Sequence, residues 1–217
     1  MEPEKDIAVN TAKNLLQINA IKLNLENPFT WASGLRSPIY CDNRRIWSFP
    51  GIRDLIADSL VTAINSHYPG AELIAGVATG AIAPGVLVAQ RMRLPFVYVR
   101  ATPKAHGLGA QIEGYAPKRS RTVVVEDLIS TAKSSLSAYH ALKDSGLDVL
   151  GMAAIFTYDL DVARTNLEKA GCPLVTLSNY HMLIEVAQKQ KIVSTKQLIQ
   201  LKEWRKNPRA WSNASII

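Results

Sequence analysis

Apolar residues change their spacing along the chain, and this change predicts where helices and strands lie. Over residues 7–18 and 49–67 they recur every three or four positions, which is typical of amphipathic helices. From residue 72 onward, short apolar runs alternate with helical patterns. The predicted strands are 72–79, 95–99, 122–126, 150–158 and 173–177, and the predicted helices between them are 81–92, 134–145 and 162–170. This alternation indicates the α/β class, with a doubly wound parallel sheet flanked by helices on both faces.

A long polar segment interrupts the alternation between the second and third predicted strands. Residues 100–121 contain three glycines and show no helical spacing. Because loops of this length in compact domains are usually lids or binding segments, we predict a mobile lid at 100–114. The chain ends in a predicted polar helix and tail at 194–211, whose Trp204 and Trp211 are expected to pack on the domain.

The composition favours a single domain over residues 1–217. Hydrophobic residues make up 47% of the chain, which is enough for a sizeable core. No apolar run reaches the ~18 residues of a membrane span, and residues 1–10 carry acids where a signal peptide would carry basic residues. We therefore expect a cytoplasmic protein with no membrane partner. Cys41 and Cys172 have no metal-ligand spacing and are expected to be reduced thiols.

The positive charge narrows the class of ligand. A net charge of +7 is compatible with nucleic acid, an acidic membrane surface or a small polyanionic substrate. The basic residues are spread along the chain, with no long Lys/Arg block and no interleaved aromatic residues of the kind that single-strand binders use. We therefore expect a small phosphorylated ligand and no nucleic acid.

The segment VVVEDLISTAKSS, residues 123–135, carries the chemistry expected of such a site. Glu126 and Asp127 stand at the predicted end of a strand, and a turn of small residues then enters a helix. Unpaired N–H groups at a helix start attract an anion, while two acids can accept hydrogen bonds from sugar hydroxyls or hold a hydrated Mg²⁺. One site could hold a ribose and its phosphate. An ordinary helix start with solvated acids is the alternative interpretation.

Neither a Walker loop nor a dinucleotide-binding glycine motif is present. Instead, VVVEDLISTAKSS resembles the phosphoribosyl-diphosphate loop of type I phosphoribosyltransferases. Further segments resemble orotate phosphoribosyltransferase, and together they span nearly the whole chain. They are FTWASGLRSPIYCDNR (29–44), GVATGAIAPG (76–85), YVRATPKAHGLGAQIEG (98–114) and IFTYDL (155–160).

The resemblance implies transfer of the phosphoribosyl group from 5-phospho-α-D-ribose 1-diphosphate to orotate, which gives orotidine 5′-monophosphate and pyrophosphate in pyrimidine biosynthesis. It implies Mg²⁺ as the cofactor and a homodimer whose lid reaches the neighbouring active site. It also implies an N-terminal hood and base-binding region at 1–48 and a core sheet at 70–180. No residue is assigned as a direct metal ligand.

The resemblance also assigns roles to residues. Glu126 and Asp127 would bind the ribose hydroxyls, and residues 130–134 would cradle the 5′-phosphate, with Ser130 also reaching orotate. The substrate-binding residues implied in this loop are Glu126, Asp127, Leu128, Ile129, Ser130, Thr131, Ala132, Lys133 and Ser134. The residues implied in catalysis are Arg100, Lys104 and His106, on the diphosphate, together with Asp127. By their residue types alone, Lys104 would be a solvated loop charge and His106 a structural histidine.

Two other segments carry implied substrate contacts. Backbone N–H groups at Ala78, Thr79 and Gly80 would bind the diphosphate, although tight packing of strand against helix explains GVATG nearly as well. Tyr40 and the backbone around residues 32–33 would line the orotate pocket, and core packing of Tyr40 is an equal alternative.

The loop departs from the family pattern at Ala132 and Lys133, where two glycines are usual. If the backbone there is left-handed, a Cβ costs roughly 1 kcal/mol or more, whereas a right-handed backbone would carry no penalty and Lys133 would add a cation beside the phosphate. The leading hypothesis is an active Mg²⁺-dependent transferase. A non-catalytic phosphoribosyl-diphosphate-binding regulator is the competing hypothesis, and a transferase for a purine base is a further alternative.

Overall fold

The computed structural model describes residues 4–31, 33–102 and 111–214. Its helices are α1 (Lys5–Gln17), α2 (Pro50–His67), α3 (Ile82–Met92), α4 (Lys133–Asp144), α5 (Asp161–Ala170), α6 (Tyr180–Lys189), α7 (Thr195–Lys206) and α8 (Pro208–Ala214). Its strands are β1 (Ile21–Leu23), β2 (Phe29–Thr30), β3 (Arg36–Ser37), β4 (Ile39–Cys41), β5 (Leu73–Val77), β6 (Phe96–Val99), β7 (Ile112–Glu113), β8 (Arg121–Ile129), β9 (Asp148–Thr157) and β10 (Leu174–Asn179). A 3₁₀ helix spans Asn43–Ser48.

Within the described residues, the central sheet has the strand order β10-β9-β8-β5-β6-β7. All neighbouring strands run parallel except β7, which pairs antiparallel with β6. From the centre, β5–α3–β6 and β8–α4–β9 run in opposite directions, so right-handed crossovers put α3 and α4 on opposite faces. The predicted doubly wound α/β sheet is thus confirmed.

The core follows from this arrangement, because central strands covered on both faces must be apolar along their whole length. All five residues of β5 are buried, and Val123, Val124 and Val125 of β8 are fully buried. At the other end of the chain, Trp204 is fully buried and Trp211 is half-buried against the core, as the sequence predicted.

Several elements differ from the sequence-based expectation. Strand β8 continues through the two acids to Ile129, because its backbone still pairs with β9 there, with Leu128 opposite Phe156 and Ile129 opposite Thr157. Helix α6 was not predicted, although its buried residues Tyr180, Leu183, Ile184 and Ala187 have helical spacing, because it starts directly after β10 with no turn between them. Part of the predicted loop forms β7, which extends the sheet edge. In the N-terminal region, β1 pairs with β4 and β2 pairs with β3, both antiparallel.

Two further findings concern the whole described chain. None of its helices combines the length and the apolar character that a membrane crossing requires. Cys41 and Cys172 are both free thiols, as expected, and burial raises the pKa of Cys172 to about 12.

Candidate active site at the edge of the sheet

The predicted site residues gather where the strand order reverses. Strands β5 and β8 are neighbours, but the chain leaves β5 toward β6 and leaves β8 toward β9, so a crevice opens at their carboxyl ends. The turn after β5 ends at Gly80, and a Cβ on Gly80 would overlap the carboxylate of Asp127. The structure therefore brings the GVATG segment and the acid pair into contact, as ligand-binding folds of this class do at this point.

The two acids face different surroundings. Glu126 is 4% exposed, and its Oε2 accepts a hydrogen bond from the Ser135 hydroxyl at 2.7 Å, while its Oε1 accepts the N–H of Asp127 at 2.9 Å. Burial and then the nearby Asp127 charge raise the pKa of Glu126 well above its usual value, and the Ser135 hydrogen bond acts in the opposite direction. Asp127 is only half-buried and lies beside Gly80 at the edge of the crevice, which we call the rim.

Asn43 joins the N-terminal region to this rim, and sequence reasoning did not assign it a role. Its Nδ2 donates to the carbonyl of Asp127 at 2.6 Å, and its Oδ1 accepts from the Cys41 thiol at 3.3 Å. The side chain is 1% exposed. The only available signal was its place inside the FTWASGLRSPIYCDNR segment, because nothing in that pattern tells which side chain turns inward.

The turn after β8 presents free donors. Among the described residues, no hydrogen bond engages the backbone N–H groups of 130–134, which lead into the first turn of α4. A succession of such N–H groups at a helix start forms an anion-binding concavity. The carbonyl of Thr131 is held from outside by Asn166 Nδ2 at 3.0 Å. Leu128 is half-buried and Ile129 is fully buried, so their side chains anchor the turn instead of facing its concavity.

The backbone conformation shows whether the missing glycines at 132 and 133 cause strain. Ala132 has φ 62° and ψ 8°, in the left-handed region, and lies just before α4. Lys133 is the first residue of that helix and has no positive φ. The usual glycine would thus relieve backbone strain at 132 but not at 133. An Ala in the left-handed region costs on the order of 1 kcal/mol.

Of the three N–H groups after β5 that were expected to bind the diphosphate, one already has a hydrogen-bond partner. The N–H of Ala78 is already bonded to the Val99 carbonyl at 2.8 Å, so it is not available to a diphosphate, contrary to the prediction. Over the described residues, no hydrogen bond occupies the N–H groups of Thr79 and Gly80. The Ala78–Thr79 peptide bond is cis. Tight packing also holds in this segment, because a Cβ on Gly76 would lie 2.6 Å from the Ala81 carbonyl oxygen.

Of the three basic residues predicted to contact the diphosphate, Arg100 is among the residues that the structure describes. Arg100 follows β6 at the same edge of the sheet, and its guanidinium lies 3.6 Å from Glu113 Oε1. Its backbone N–H donates to Gln111 at 2.9 Å, which fixes the start of the predicted lid to its end. Lys104 and His106 lie outside the described residues.

The predicted base-binding region lies over the carboxyl end of β9. Tyr40 is 39% exposed and its ring lies 5.7 Å from that of Phe29, which excludes the core-packing alternative for Tyr40. Trp31 stacks on Tyr158 at 5.1 Å and contacts Trp204 edge-on. Tyr158 and Trp204 are buried, so the ring that this region exposes near the rim is that of Tyr40. Ser33 is exposed, and Ala32 lies outside the described residues.

A cavity of about 1020 Å³ lies beside this site between α5 and α6. Its lining includes Asp159, but that carboxylate is already paired with Arg164 at 3.3 Å and with Arg205 at 3.2 Å. For this reason the candidate site is the crevice between β5 and β8.

Comparisons with known proteins agree with this geometry. The phosphoribosyl transferase domain family matches residues 48–189. Orotate phosphoribosyltransferase of Cytophaga hutchinsonii is 52% identical over 200 residues, which cover 92% of this chain and 96% of that protein. The same enzyme of Bacillus caldolyticus is 50% identical over 202 residues, which cover 93% of this chain and 98% of that protein.

A solved structure carries the same fold. The crystal structure of orotate phosphoribosyltransferase from Aeropyrum pernix superposes with a TM-score of 0.71 at 28% identity, and the match covers 84% of this chain and 99% of that chain. Sequence and fold lead to one conclusion: this chain belongs to the orotate phosphoribosyltransferase family, whose members carry the phosphoribosyl transferase domain.

Proposed function

We propose that this protein transfers the phosphoribosyl group of phosphoribosyl diphosphate to orotate, giving orotidine 5′-monophosphate and pyrophosphate for pyrimidine biosynthesis. The observation that carries the proposal is the crevice between β5 and β8, where Asp127 lies against Gly80 beside a turn of free N–H groups. A ribose with a 5′-phosphate and a 1-diphosphate presents complementary groups to that crevice. Orotate as the acceptor rests on the names of relatives about half identical to this chain.

In this proposal each turn binds one phosphate-bearing end of the substrate. Asp127 and Glu126 accept hydrogen bonds from the ribose hydroxyls, and the N–H groups of 130–134 bind the 5′-phosphate. The N–H groups of Thr79 and Gly80 meet the diphosphate. Lys133, on the first turn of α4, adds a cation near the 5′-phosphate.

The chemistry of the step calls for donors around the leaving group. As the bond between C1 and the diphosphate breaks, positive charge grows on the ribose and negative charge grows on pyrophosphate. No protein nucleophile is needed, and Arg100, Lys104 and His106 are the proposed donors. Tyr40 and the neighbouring aromatic rings hold the planar base beside the reacting carbon.

Mg²⁺ fits the residues at the rim. Over the described part of the chain, no cluster of three or more His, Cys, Asp or Glu side chains could enclose a metal. Mg²⁺ commonly keeps several waters and binds through one or two carboxylates plus substrate phosphates, so Asp127 and the diphosphate suffice. When bound, the ion would neutralise charge on the departing pyrophosphate.

We also propose a homodimer in which the lid at 100–114 closes over the partner's active site. Large apolar side chains are exposed just before α2 and along α2 and α3, and they support a dimer: Phe49 is 37% exposed, Leu55 57% and Val86 44%. Closure would exclude water from the reactive sugar. A cytoplasmic location agrees with the two free thiols.

One assay tests the proposed reaction. Purified protein is mixed with orotate, phosphoribosyl diphosphate and Mg²⁺, and the loss of orotate absorbance is followed. We expect turnover that requires all three, with no product when adenine or hypoxanthine replaces orotate. Binding of phosphoribosyl diphosphate without turnover at high enzyme concentration would instead support the regulatory alternative.

A further inference from the structure

Ser135 forms a contact that joins the two ends of the proposed phosphate-binding segment. Its hydroxyl donates to Glu126 Oε2 at 2.7 Å, and both side chains are buried, Ser135 at 1% exposed and Glu126 at 4%. Residues 127–134 lie between them in the chain, and these include Asp127 and the whole turn after β8. The hydrogen bond therefore closes this segment into a ring.

The contact is not an ordinary helix cap. Helix α4 has no side-chain cap, since Ala132 precedes it in the left-handed conformation and carries no polar atom on its side chain. The Ser135 hydroxyl is directed at the neighbouring strand and away from the backbone of its own helix. It thus fixes the first turn of α4, whose N–H groups are free, against the strand that carries the acids.

Both oxygens of the Glu126 carboxylate are held, one by Ser135 and the other by the backbone N–H of Asp127. A carboxylate with one donor on each oxygen has a single orientation and keeps further lone pairs for a ligand. Its position beside the first turn of a helix is also favoured by the helix dipole. Loss of one donor would let the carboxyl rotate and the turn separate from the strand.

We infer that Ser135 is a positioning residue for phosphoribosyl diphosphate: by bonding to Glu126 it holds the turn at 130–134 at a fixed distance from the two acids. This inference rests on the proposed function and deepens it, because it adds a residue that acts through Glu126 and not on the substrate. Its effect should fall on binding of phosphoribosyl diphosphate and spare the base.

The test compares Ser135→Ala with Ser145→Ala, a matched control on the same helix segment. The exposed Ser145 hydroxyl donates to the carbonyl of Ala141 at the far end of α4. We expect Ser135→Ala to weaken calorimetric binding of phosphoribosyl diphosphate with Mg²⁺, and to raise its KM, by about ten-fold. The KM for orotate should change by less than about two-fold, and the control should match the wild type.

Two more variants test whether Ser135 acts through Glu126. In a Glu126→Ala background, Ser135→Ala should add less than about a two-fold loss in binding, because the partner is gone. Ser135→Cys keeps the size with a weaker donor and should give an intermediate loss, which serves if the alanine variant does not fold.

The inference would be overturned by equal losses in the KM for both substrates, by a fall in kcat alone that tracks the melting temperature, or by a full Ser135→Ala effect without Glu126. These outcomes are separate from failure of the proposed function. If the wild type binds phosphoribosyl diphosphate but does not consume orotate, the binding comparison still decides the role of Ser135.

Discussion

The turn after β5 and the turn after β8 face each other across the crevice, and each contains a position that favours glycine, but for different physical reasons. The turn after β5 has a glycine at 80 with no positive φ, and that glycine is required by space, because Asp127 occupies the position of its absent Cβ. The turn after β8 has an alanine at 132, where the backbone itself is left-handed, with φ 62°. Any side chain at 80 must displace the Asp127 carboxylate, which is a cost to the site, whereas the left-handed backbone at 132 costs only a modest energy and tolerates alanine.

Gly80→Ala should have the largest effect. The new Cβ would displace the Asp127 carboxylate, and a misplacement of about 1 Å at such a site can cost on the order of 100-fold. We expect kcat/KM for phosphoribosyl diphosphate to fall at least about 100-fold in steady-state assays. Gly51→Ala is the control, because a Cβ there meets open space in α2, and it should leave activity intact. Activity near the wild-type level in Gly80→Ala would refute the steric argument.

Glu126→Gln should weaken binding yet stabilise the protein. Loss of the negative charge removes an acceptor for charge-assisted hydrogen bonds, and we expect about ten-fold weaker binding of phosphoribosyl diphosphate by calorimetry. The pKa of Glu126 is raised in the folded state by burial, so the wild-type fold loses stability as pH rises from the ordinary carboxyl pKa toward the raised one.

Glutamine has no such titration. The melting temperature of Glu126→Gln, measured without metal or substrate, should therefore exceed that of the wild type by a few degrees at neutral pH. The gap should close as pH falls below the ordinary carboxyl range. A gap that is constant with pH would show that Glu126 does not titrate abnormally.

Asn43→Ala tests how the rim between the two turns is held. The variant loses the hydrogen bond to the Asp127 carbonyl and leaves that carbonyl without its partner, at a cost of about 1–3 kcal/mol. We expect a lower melting temperature and about five-fold weaker binding of phosphoribosyl diphosphate. Asn24→Ala, which removes an exposed contact to the N–H of Asn27, should change neither quantity. If both variants behave alike, Asn43 does not support the rim.

Ala132→Gly should have the smallest effect, and it should differ in sign from Lys133→Gly. Glycine relieves the left-handed strain at 132 but gives up the burial of one methyl group, so we expect net stabilisation below about 1 kcal/mol and slightly tighter substrate binding. Lys133→Gly instead weakens a helix start and removes a cation, so unfolding by denaturant should become easier and the KM for phosphoribosyl diphosphate should rise. Equal effects at both positions would contradict the difference in backbone conformation.

Much of the fold and part of the site followed from local pattern. Continuous apolar runs separated by helical spacing predicted the parallel sheet, since burial on both faces imposes that composition. Asp127 and the turn at 130–134 were identified because acids after a buried strand, followed by small residues, stand at a ligand-binding edge. Helix α6 was missed although Tyr180, Leu183, Ile184 and Ala187 have helical spacing, because no turn residues separate it from β10.

The sequence by itself determined the α/β class, the acid pair and the small-residue turn, because each depends on the order and spacing of neighbouring residues. Tertiary structure decided how they are used. It brought Asn43 to the carbonyl of Asp127 across 84 positions and committed the N–H of Ala78 to the Val99 carbonyl. It also set the left-handed φ of Ala132. Hydrogen-bond partners and backbone dihedrals at a packed edge depend on which distant segments meet there, and no local spacing encodes that.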